Sequence, residues 1–306
     1  MLLKKVEKLM GNRFEISVIG PDDNWCSERI NLAIEEIKRI EKLLTTFSTD
    51  SITYQINENA GIKPILVTDE VFNLIKRCQM ISQMTQGAFD ISYGGIDKKF
   101  WNFDLKMTSL PDSDTAKKSV ELINYQNIIL DEEKKTVFLK LKGMRIGFGG
   151  IGKGYAAEMA KKILLENGVE NGIVNASGDL SAWGHQENGK NWTIGVADPN
   201  HRNEIFSTFN ITNTAVATSG NYEKFVMIGN QKYSHTIDPK TGYPVRGIKS
   251  VTIIAQNAEI ADALATPVTV MGIEVGMDFI NQLKHIGCII IDDNDKKYFS
   301  KNINLT

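Results

Sequence analysis

Two oxygen-bearing side chains near the C-terminal end of the sequence are spaced to share one face of a helix. Asp262 and Thr266 are four residues apart in a segment predicted to be helical from residue 259. A carboxylate and a hydroxyl oxygen suit a hard cation such as Mg²⁺. Pro267 disfavours α geometry at Thr266, so we expect the turn to open there and free a carbonyl for a ligand. The alternative is a capping Asp and a solvated Thr without a ligand.

A glycine-rich turn at residues 147–154 precedes a predicted helix at 155–166. Unpaired N–H groups at a helix start can bind an anion, and glycines let a phosphate approach closely. The turn fits the G-x-G-x-x-G pattern of dinucleotide-binding proteins, with Asp179, in a predicted loop, as the nearby acid. It also fits part of the phosphate-binding loop of NTPases, but Gly154 replaces the Ser or Thr that would hold magnesium. A tight turn without a ligand is the alternative.

His235 lies in a segment, residues 234–242, that combines an imidazole with a turn containing Pro and Gly. Neutral imidazole can accept a proton near neutral pH, so His235 is a candidate general base. An incidental His in a hairpin turn is the alternative. Residues 87–90 and 175–179 have compositions typical of ligand-lining loops, but equally of ordinary helix ends and turns.

The periodicity of apolar residues predicts the elements that position these side chains. Further helices are predicted at residues 27–45, 69–85 (capped by Thr68 or Asp69) and 108–124, strands at 14–19, 192–196, 205–212, 215–218, 249–255 and 287–292, and hairpins within 127–142 and 223–238. Helices and strands are interleaved without a regular βαβ series. This order favours an α+β fold over a doubly wound parallel sheet.

Composition excludes several classes of protein. The 306 residues include 35 Lys and Arg against 37 Asp and Glu, and this balance lacks the basic excess of a generic nucleic-acid binder. No stretch approaches the roughly 18 apolar residues of a membrane span. The N-terminus lacks the apolar segment of an export signal, so the sequence predicts a cytoplasmic protein. A periplasmic or membrane-anchored location is the alternative if a signal peptide has been removed.

Taken in order along the chain, these segments resemble the ApbE family of FAD:protein FMN transferases. The resemblance is carried by residues 10–11, 47–49, 56–57, 87–90, 149–155, 175–179, 219–220, 234–242 and 261–266. No single segment is diagnostic, but H-x-I-D-P-x-T-G followed by A-D-A-x-A-T is highly specific as an ordered set.

The resemblance implies a T-fold-like α+β architecture with FAD in a cleft, formed by one domain over residues 1–306, with two lobes around the cleft as the alternative. Family members are Mg²⁺-dependent and move FMN from FAD to a Thr or Ser hydroxyl of a target flavoprotein, releasing AMP. This post-translational flavinylation implies FAD and an acceptor flavoprotein as partners, and neither nucleic acid nor a membrane span.

The resemblance also implies roles for individual residues. It places FAD contacts at Met10, Ala88, Phe89, Asp90, Lys153, Asp179 and His235, and magnesium ligands at the Gly150 carbonyl, Asp262 and Thr266. His235 is also the candidate base for the acceptor hydroxyl.

This chain departs from the family pattern at three places. Gly147 stands where the family usually has Asp, Ser177 replaces a Gly, and residues 47–57 are shortened and lack an aromatic that faces the flavin in relatives. The alternatives to a transferase are an FAD pyrophosphatase, a non-catalytic FAD-binding protein and, less favoured, a Rossmann-type NAD-dependent dehydrogenase.

Overall fold

The structure is a computed structural model that describes residues 1–96, 109–197, 205–220, 225–228, 231–234 and 236–303. Its helices are α1 (Asp23–Leu44), α2 (Ile52–Glu58), α3 (Asp69–Met84), α4 (Ser113–Ser119), α5 (Gly152–Glu166), α6 (Ala258–Met271) and α7 (Ile273–Gln282). Its strands are β1 (Leu2–Leu9), β2 (Asn12–Ile19), β3 (Ile65–Leu66), β4 (Ile128–Asp131), β5 (Thr136–Leu139), β6 (Asn171–Ala176), β7 (Asp179–Trp183), β8 (Trp192–Ala197), β9 (Ile205–Ile211), β10 (Thr214–Gly220), β11 (Phe225–Ile228), β12 (Gln231–Ser234), β13 (Ile248–Ala255), β14 (Gly287–Asp292) and β15 (Lys297–Phe299).

Eight strands form the main sheet, in the order β1-β2-β6-β7-β10-β13-β14-β15, and each neighbouring pair is antiparallel. Helices α1, α5 and α6 pack together on one face of this sheet, over the main hydrophobic core. Because side chains alternate along a strand, Val216 of β10 lies on the opposite face, where Trp192 and Ile211 of the β8–β9 hairpin cover it. The predicted α+β class is confirmed.

Local sequence signals place several elements well. The apolar residues predicted to bury one face of α1, such as Ile30 and Ile37, are buried, and Thr68 caps α3 by accepting from Val71 N–H. The predicted hairpin around Lys135 is β4–β5, with Lys135 at φ 50° in its turn.

Other bounds differ from the prediction. Helix α1 begins at Asp23 rather than residue 27, because Asp22 caps it by accepting from the Trp25 N–H. The helix predicted at 108–124 is limited to α4, and α5 begins at Gly152 rather than residue 155.

Helix α6 does not open at Thr266 as expected but continues through Pro267 to Met271. Pro267 has no N–H, so the Ala263 carbonyl loses its helical donor. The helix is buried along most of its length, and this packing overrides the local preference of proline. Within the described part of the chain, no helix is both long and apolar enough to span a membrane.

Candidate functional site

Three chain segments converge on a cavity of about 360 Å³. Its lining includes Ala88, Phe89 and Asp90 from the loop after α3, Gly150 from the turn before α5, and Thr266 from α6. The structure therefore brings together five residues that lie up to 178 positions apart in the sequence, all named by the resemblance. They form the wall of one cavity.

The loop at residues 87–90 is fixed by its own hydrogen bonds. Phe89 N–H donates to Thr85 Oγ1 at 3.1 Å. Asp90 Oδ1 accepts from Ser92 N–H at 2.8 Å and from the Ser92 hydroxyl at 2.6 Å, while Oδ2 accepts from Tyr125 N–H at 2.7 Å. Burial nevertheless raises the pKa of Asp90. Asp90 thus organises the loop, and Ala88 and Phe89 supply an apolar wall.

The glycine-rich turn offers backbone donors at a different place from the one expected. Gly152 N–H donates to Phe148 O at 2.6 Å, and Gly154 N–H donates to Asp262 Oδ2 at 2.9 Å. The start of α5 is therefore not the unpaired anion site that the sequence suggested. Gly149 and Gly150 line the cavity, and their N–H groups make no hydrogen bond to any residue that the structure describes.

Gly154 is required by the close approach of α5 to α6. A Cβ at this position would lie 2.2 Å from Ala258 O and 2.7 Å from Asp262 Cβ. This contact accounts for the missing Ser or Thr of an NTPase loop, because any side chain would force the helices apart. It also brings the Gly154 N–H onto the Asp262 carboxylate.

Lys153 and Asp179 form an ion pair beside this contact. Asp179 is buried, and its Oδ1 accepts from Thr218 N–H at 3.3 Å. It is the first residue of β7 and not a loop residue, because Ser177 and Gly178, at φ 57° and 101°, close a tight turn from β6. Ser177 adopts this left-handed conformation although the family usually has Gly there.

Asp262 is a buried carboxylate whose charge is poorly compensated. Burial, followed by the nearby Asp179 carboxylate, raises the pKa of Asp262 to about 7, against the opposing effects of Lys153 and the Gly154 N–H. Its Oδ2 accepts from the Gly154 N–H, and the Lys153 N–H is a second backbone donor to the carboxylate. A cation bound to this carboxylate would offset the remaining cost of burying its charge.

The donor set around Asp262 fits Mg²⁺. Thr266 lies one turn further along α6, and its Oγ1 is 3.7 Å from where a Cβ on Gly150 would be. A carboxylate, a hydroxyl and the Gly150 carbonyl are hard oxygen ligands, the kind that Mg²⁺ takes in small number beside phosphates. Among the described residues, no three His, Cys, Asp or Glu side chains gather as a metal cluster.

Among the described residues named by the resemblance, Met10, Lys153, Asp179 and Asp262 do not line the cavity. Met10 adopts φ 51° in the β1–β2 turn, and its Cε is 3.6 Å from where a Cβ on Gly152 would be, beside the start of α5. His235 lies outside the described residues. Its neighbour Thr236 lines the cavity, and the Thr236 N–H donates to Ser234 Oγ at 3.0 Å.

Sequence reasoning missed Tyr93 and Val270, which also line the cavity. Val270 follows Thr266 by four residues, so helical spacing could have identified it. Tyr93 has no comparable signal in the sequence. Gly147 lines the cavity too, and a Cβ there would meet only Thr46 Cγ2, at 4.0 Å, so the site has room for the Asp usual in the family.

Both the sequence and the fold match those of known proteins. The sequence model of the ApbE family matches residues 10–290. A "FAD:protein FMN transferase" from Klebsiella pneumoniae is 30% identical over 288 residues, covering 94% of this chain and 88% of the relative. The crystal structure of an ApbE protein from Thermotoga maritima superposes with a TM-score of 0.88 at 29% identity, covering 98% of this chain and 97% of the other.

The flavin transferase ApbE from Vibrio cholerae shares the fold, with a TM-score of 0.85 at 23% identity over 99% of this chain and 98% of the other. Fold and site together define an α+β enzyme of the transferase class. The chain belongs to the ApbE family.

Proposed function

We propose that this protein is a Mg²⁺-dependent FAD:protein FMN transferase that moves FMN from FAD to a Thr or Ser hydroxyl of an acceptor flavoprotein and releases AMP. One observation carries the proposal. The apolar loop at residues 88–89, the Gly149 and Gly150 N–H groups, which bond to no residue that the structure describes, and the Thr266 hydroxyl of α6 face a single cavity, and Asp262 lies one turn before Thr266 on the same helix. An aromatic ring system, a pyrophosphate and a cation need such surfaces side by side.

Each part of the site then has a chemical task. Ala88 and Phe89 contact the flavin, and the Gly149 and Gly150 N–H groups donate to phosphate oxygens. Asp262, Thr266 and the Gly150 carbonyl would hold Mg²⁺, which supplies charge neutralisation at the pyrophosphate. Lys153 adds positive charge nearby and keeps Asp179 paired.

The transfer is a displacement at the FMN phosphorus. The acceptor oxygen bonds to this phosphorus, the bond to the bridging oxygen breaks, and AMP leaves with that oxygen. His235 accepts the proton of the acceptor hydroxyl. Water in place of the acceptor would give FMN and AMP, the FAD pyrophosphatase alternative.

The Rossmann alternative finds no support in the fold. Dinucleotide-binding folds of that type need parallel strands around the glycine-rich turn. The strands of the main sheet pair antiparallel throughout the described chain, and Asp179 pairs with Lys153 rather than ending a parallel strand.

The test is incubation of the purified protein with FAD and Mg²⁺, with and without a Thr-bearing acceptor domain, while AMP and the acceptor mass are followed. AMP with an FMN adduct on the acceptor establishes the transferase. AMP with free FMN and no adduct indicates a pyrophosphatase, and bound FAD without AMP indicates a binding protein. A His235→Ala variant that binds FAD and keeps full transfer would disprove the assigned base.

A further inference from the structure

A second cavity adjoins the first and opens beside it. This groove has a volume of about 500 Å³ and is bounded by the end of α3, the turn at residues 238–240, the end of α6 and helix α7. Ala88 and Val270 line both cavities, so the two lie side by side. A molecule bound in the groove is therefore separated from the first cavity by these two side chains alone.

Six of the twelve residues that line the groove are apolar. Val270, Met271 and Phe279 line it, and at its rim Met84 is 50% exposed and Val275 is 60% exposed. Apolar side chains grouped this way at an opening are typical of a surface that binds a polypeptide.

Two charged groups are also available at this surface. Lys240 and Asp278 line the groove, and neither side chain forms an ion pair with any residue that the structure describes. Asp238 is different, because its carboxylate accepts from Lys240 N–H at 2.9 Å and from Thr241 Oγ1 at 3.0 Å. The Lys240 ammonium and the Asp278 carboxylate can therefore form hydrogen bonds with the main-chain groups of a bound polypeptide.

One face of α6 runs from the groove, at Val270, to the first cavity, at Thr266. Asp262, Thr266 and Val270 follow each other at intervals of four residues, so they form a stripe along the helix. Each step along this stripe advances about 6 Å. A hydroxyl entering past Val270 therefore arrives within about two residue lengths of a phosphate bound near Thr266.

We propose that this groove binds the acceptor as an extended segment, with apolar side chains near the reactive Thr or Ser and its hydroxyl entering between Ala88 and Val270. In an extended segment alternate side chains face the same way, so apolar residues would contact the floor while the main chain meets Lys240 and Asp278. The inference rests on the proposed transferase function and adds where, and through which chemistry, the protein substrate is recognised.

A neighbouring opening provides the competing route. This third cavity, of about 430 Å³, shares Asp90 and Pro239 with the first cavity. Gln83, Asn124 and Gln126 give it a polar lining. It is lined by fewer apolar side chains than the groove, so we assign the acceptor to the groove and use this opening for comparison.

The experiment compares acceptor kinetics of the whole protein, saturated with FAD and Mg²⁺, in single variants. Val275→Asp and Met84→Asp place a charge on the rim, where both residues are exposed enough to leave folding intact. Leu66→Asp, on β3 and 70% exposed, is the matched control. We expect the acceptor KM to rise about tenfold in the two rim variants, with the Kd for FAD and kcat retained, and no change in Leu66→Asp.

A second arm varies the acceptor domain that forms the adduct. Replacing apolar residues beside its Thr by Ser should raise its KM with the wild-type enzyme but much less with Val275→Asp, because both changes remove the same contact. An unchanged KM in both rim variants would overturn the inference, as would an altered Kd for FAD. A larger KM in Gln126→Lys alone would assign the acceptor to the other opening. Failure of the wild-type enzyme to form any adduct would instead reject the proposed function.

Discussion

The first turn of α5 contacts two clusters of ionisable side chains. In one the pKa of a carboxylate is raised, and in the other it is lowered. On the cavity side, burial and Asp179 raise the pKa of Asp262 to about 7. On the outer side, Glu70 accepts from both terminal nitrogens of Arg39 at 2.7 Å and from the Tyr155 hydroxyl at 2.7 Å. Arg39, and Tyr155 after it, lower the pKa of Glu70. The surroundings of Asp262 therefore disfavour its ionised form, whereas those of Glu70 favour it.

The same contrast appears within α6. Glu259, three residues before Asp262, forms a two-fold ion pair with Arg77, at 2.6 Å and 3.0 Å, and Arg77 also lies over the Tyr155 ring. The outer cluster is complete in the protein alone and joins α1, α3, α5 and α6. In the cavity-side cluster the Lys153 ammonium is paired with Asp179, and its effect on Asp262 does not offset the burial of that carboxylate. The charges of the outer cluster are therefore balanced within the protein, whereas for Asp262 we propose that a bound cation provides the balance.

The largest expected effect is that of Asp262→Asn. The amide keeps an acceptor for the Gly154 N–H but removes the charge, so FMN transfer should fall by about 100-fold or more. In the presence of a chelator its free energy of unfolding should equal or exceed that of the wild type, because a poorly compensated buried charge is gone.

Rates of adduct formation and urea denaturation with and without Mg²⁺ measure both effects. Asp69→Asn, at an exposed position on α3, is the control and should leave transfer unchanged. Full transfer activity in Asp262→Asn would show that the cluster around Asp262, like the outer cluster, is not needed for the reaction.

This site was predictable from the sequence only where its residues are local neighbours. The spacing of Asp262 and Thr266 placed both on one helix face, and that much is encoded within one turn. The bond from Gly154 to Asp262 spans 108 positions and the bond from Tyr155 to Glu70 spans 85, so no local pattern signals either. The resemblance named Asp262, but it did not reveal the close approach of α5 that brings the Gly154 N–H onto this carboxylate.

The fold shows the same limit. Helix α1 and the β4–β5 hairpin carry strong periodicity and turn signals, and both were predicted. Strand β1 was missed, because Lys and Glu occupy half of this largely exposed edge strand. Short helices such as α2 and α7 were missed as well, since tertiary packing rather than propensity stabilises them.

A smaller but still large effect is expected for Gly154→Ala. The added methyl group would lie 2.2 Å from Ala258 O, so α5 and α6 must separate, and the free energy of unfolding should fall by about 1–3 kcal/mol. Gly149→Ala is the matched control, because no atom lies within 4 Å of its Cβ position. Urea denaturation of both variants gives the difference. Equal stability of the two would mean that the helices do not approach as closely as described.

Tyr155→Phe should have a more modest effect, confined to stability. It removes the hydroxyl that donates to Glu70 and should lower the free energy of unfolding by about 1 kcal/mol. FMN transfer at saturating FAD should match the wild type, since the outer cluster does not reach the cavity. A loss of FMN transfer without a loss of stability would show that the outer cluster also contributes to the reaction.

The smallest effect concerns pH and follows from Glu70. Its folded-state pKa lies below the ordinary value of about 4.3, so its contribution to stability is complete above that value and is lost as the pH falls through the lowered one. The stability difference between wild type and Glu70→Gln should therefore shrink as denaturation is measured from neutral pH towards acid. Arg39→Gln removes the main cause of the lowered pKa and should flatten this dependence. If the stability difference between wild type and Glu70→Gln stayed constant across this pH range, Glu70 would be no better stabilised as an anion than an exposed carboxylate. The contrast between the two clusters would then depend on Asp262 alone.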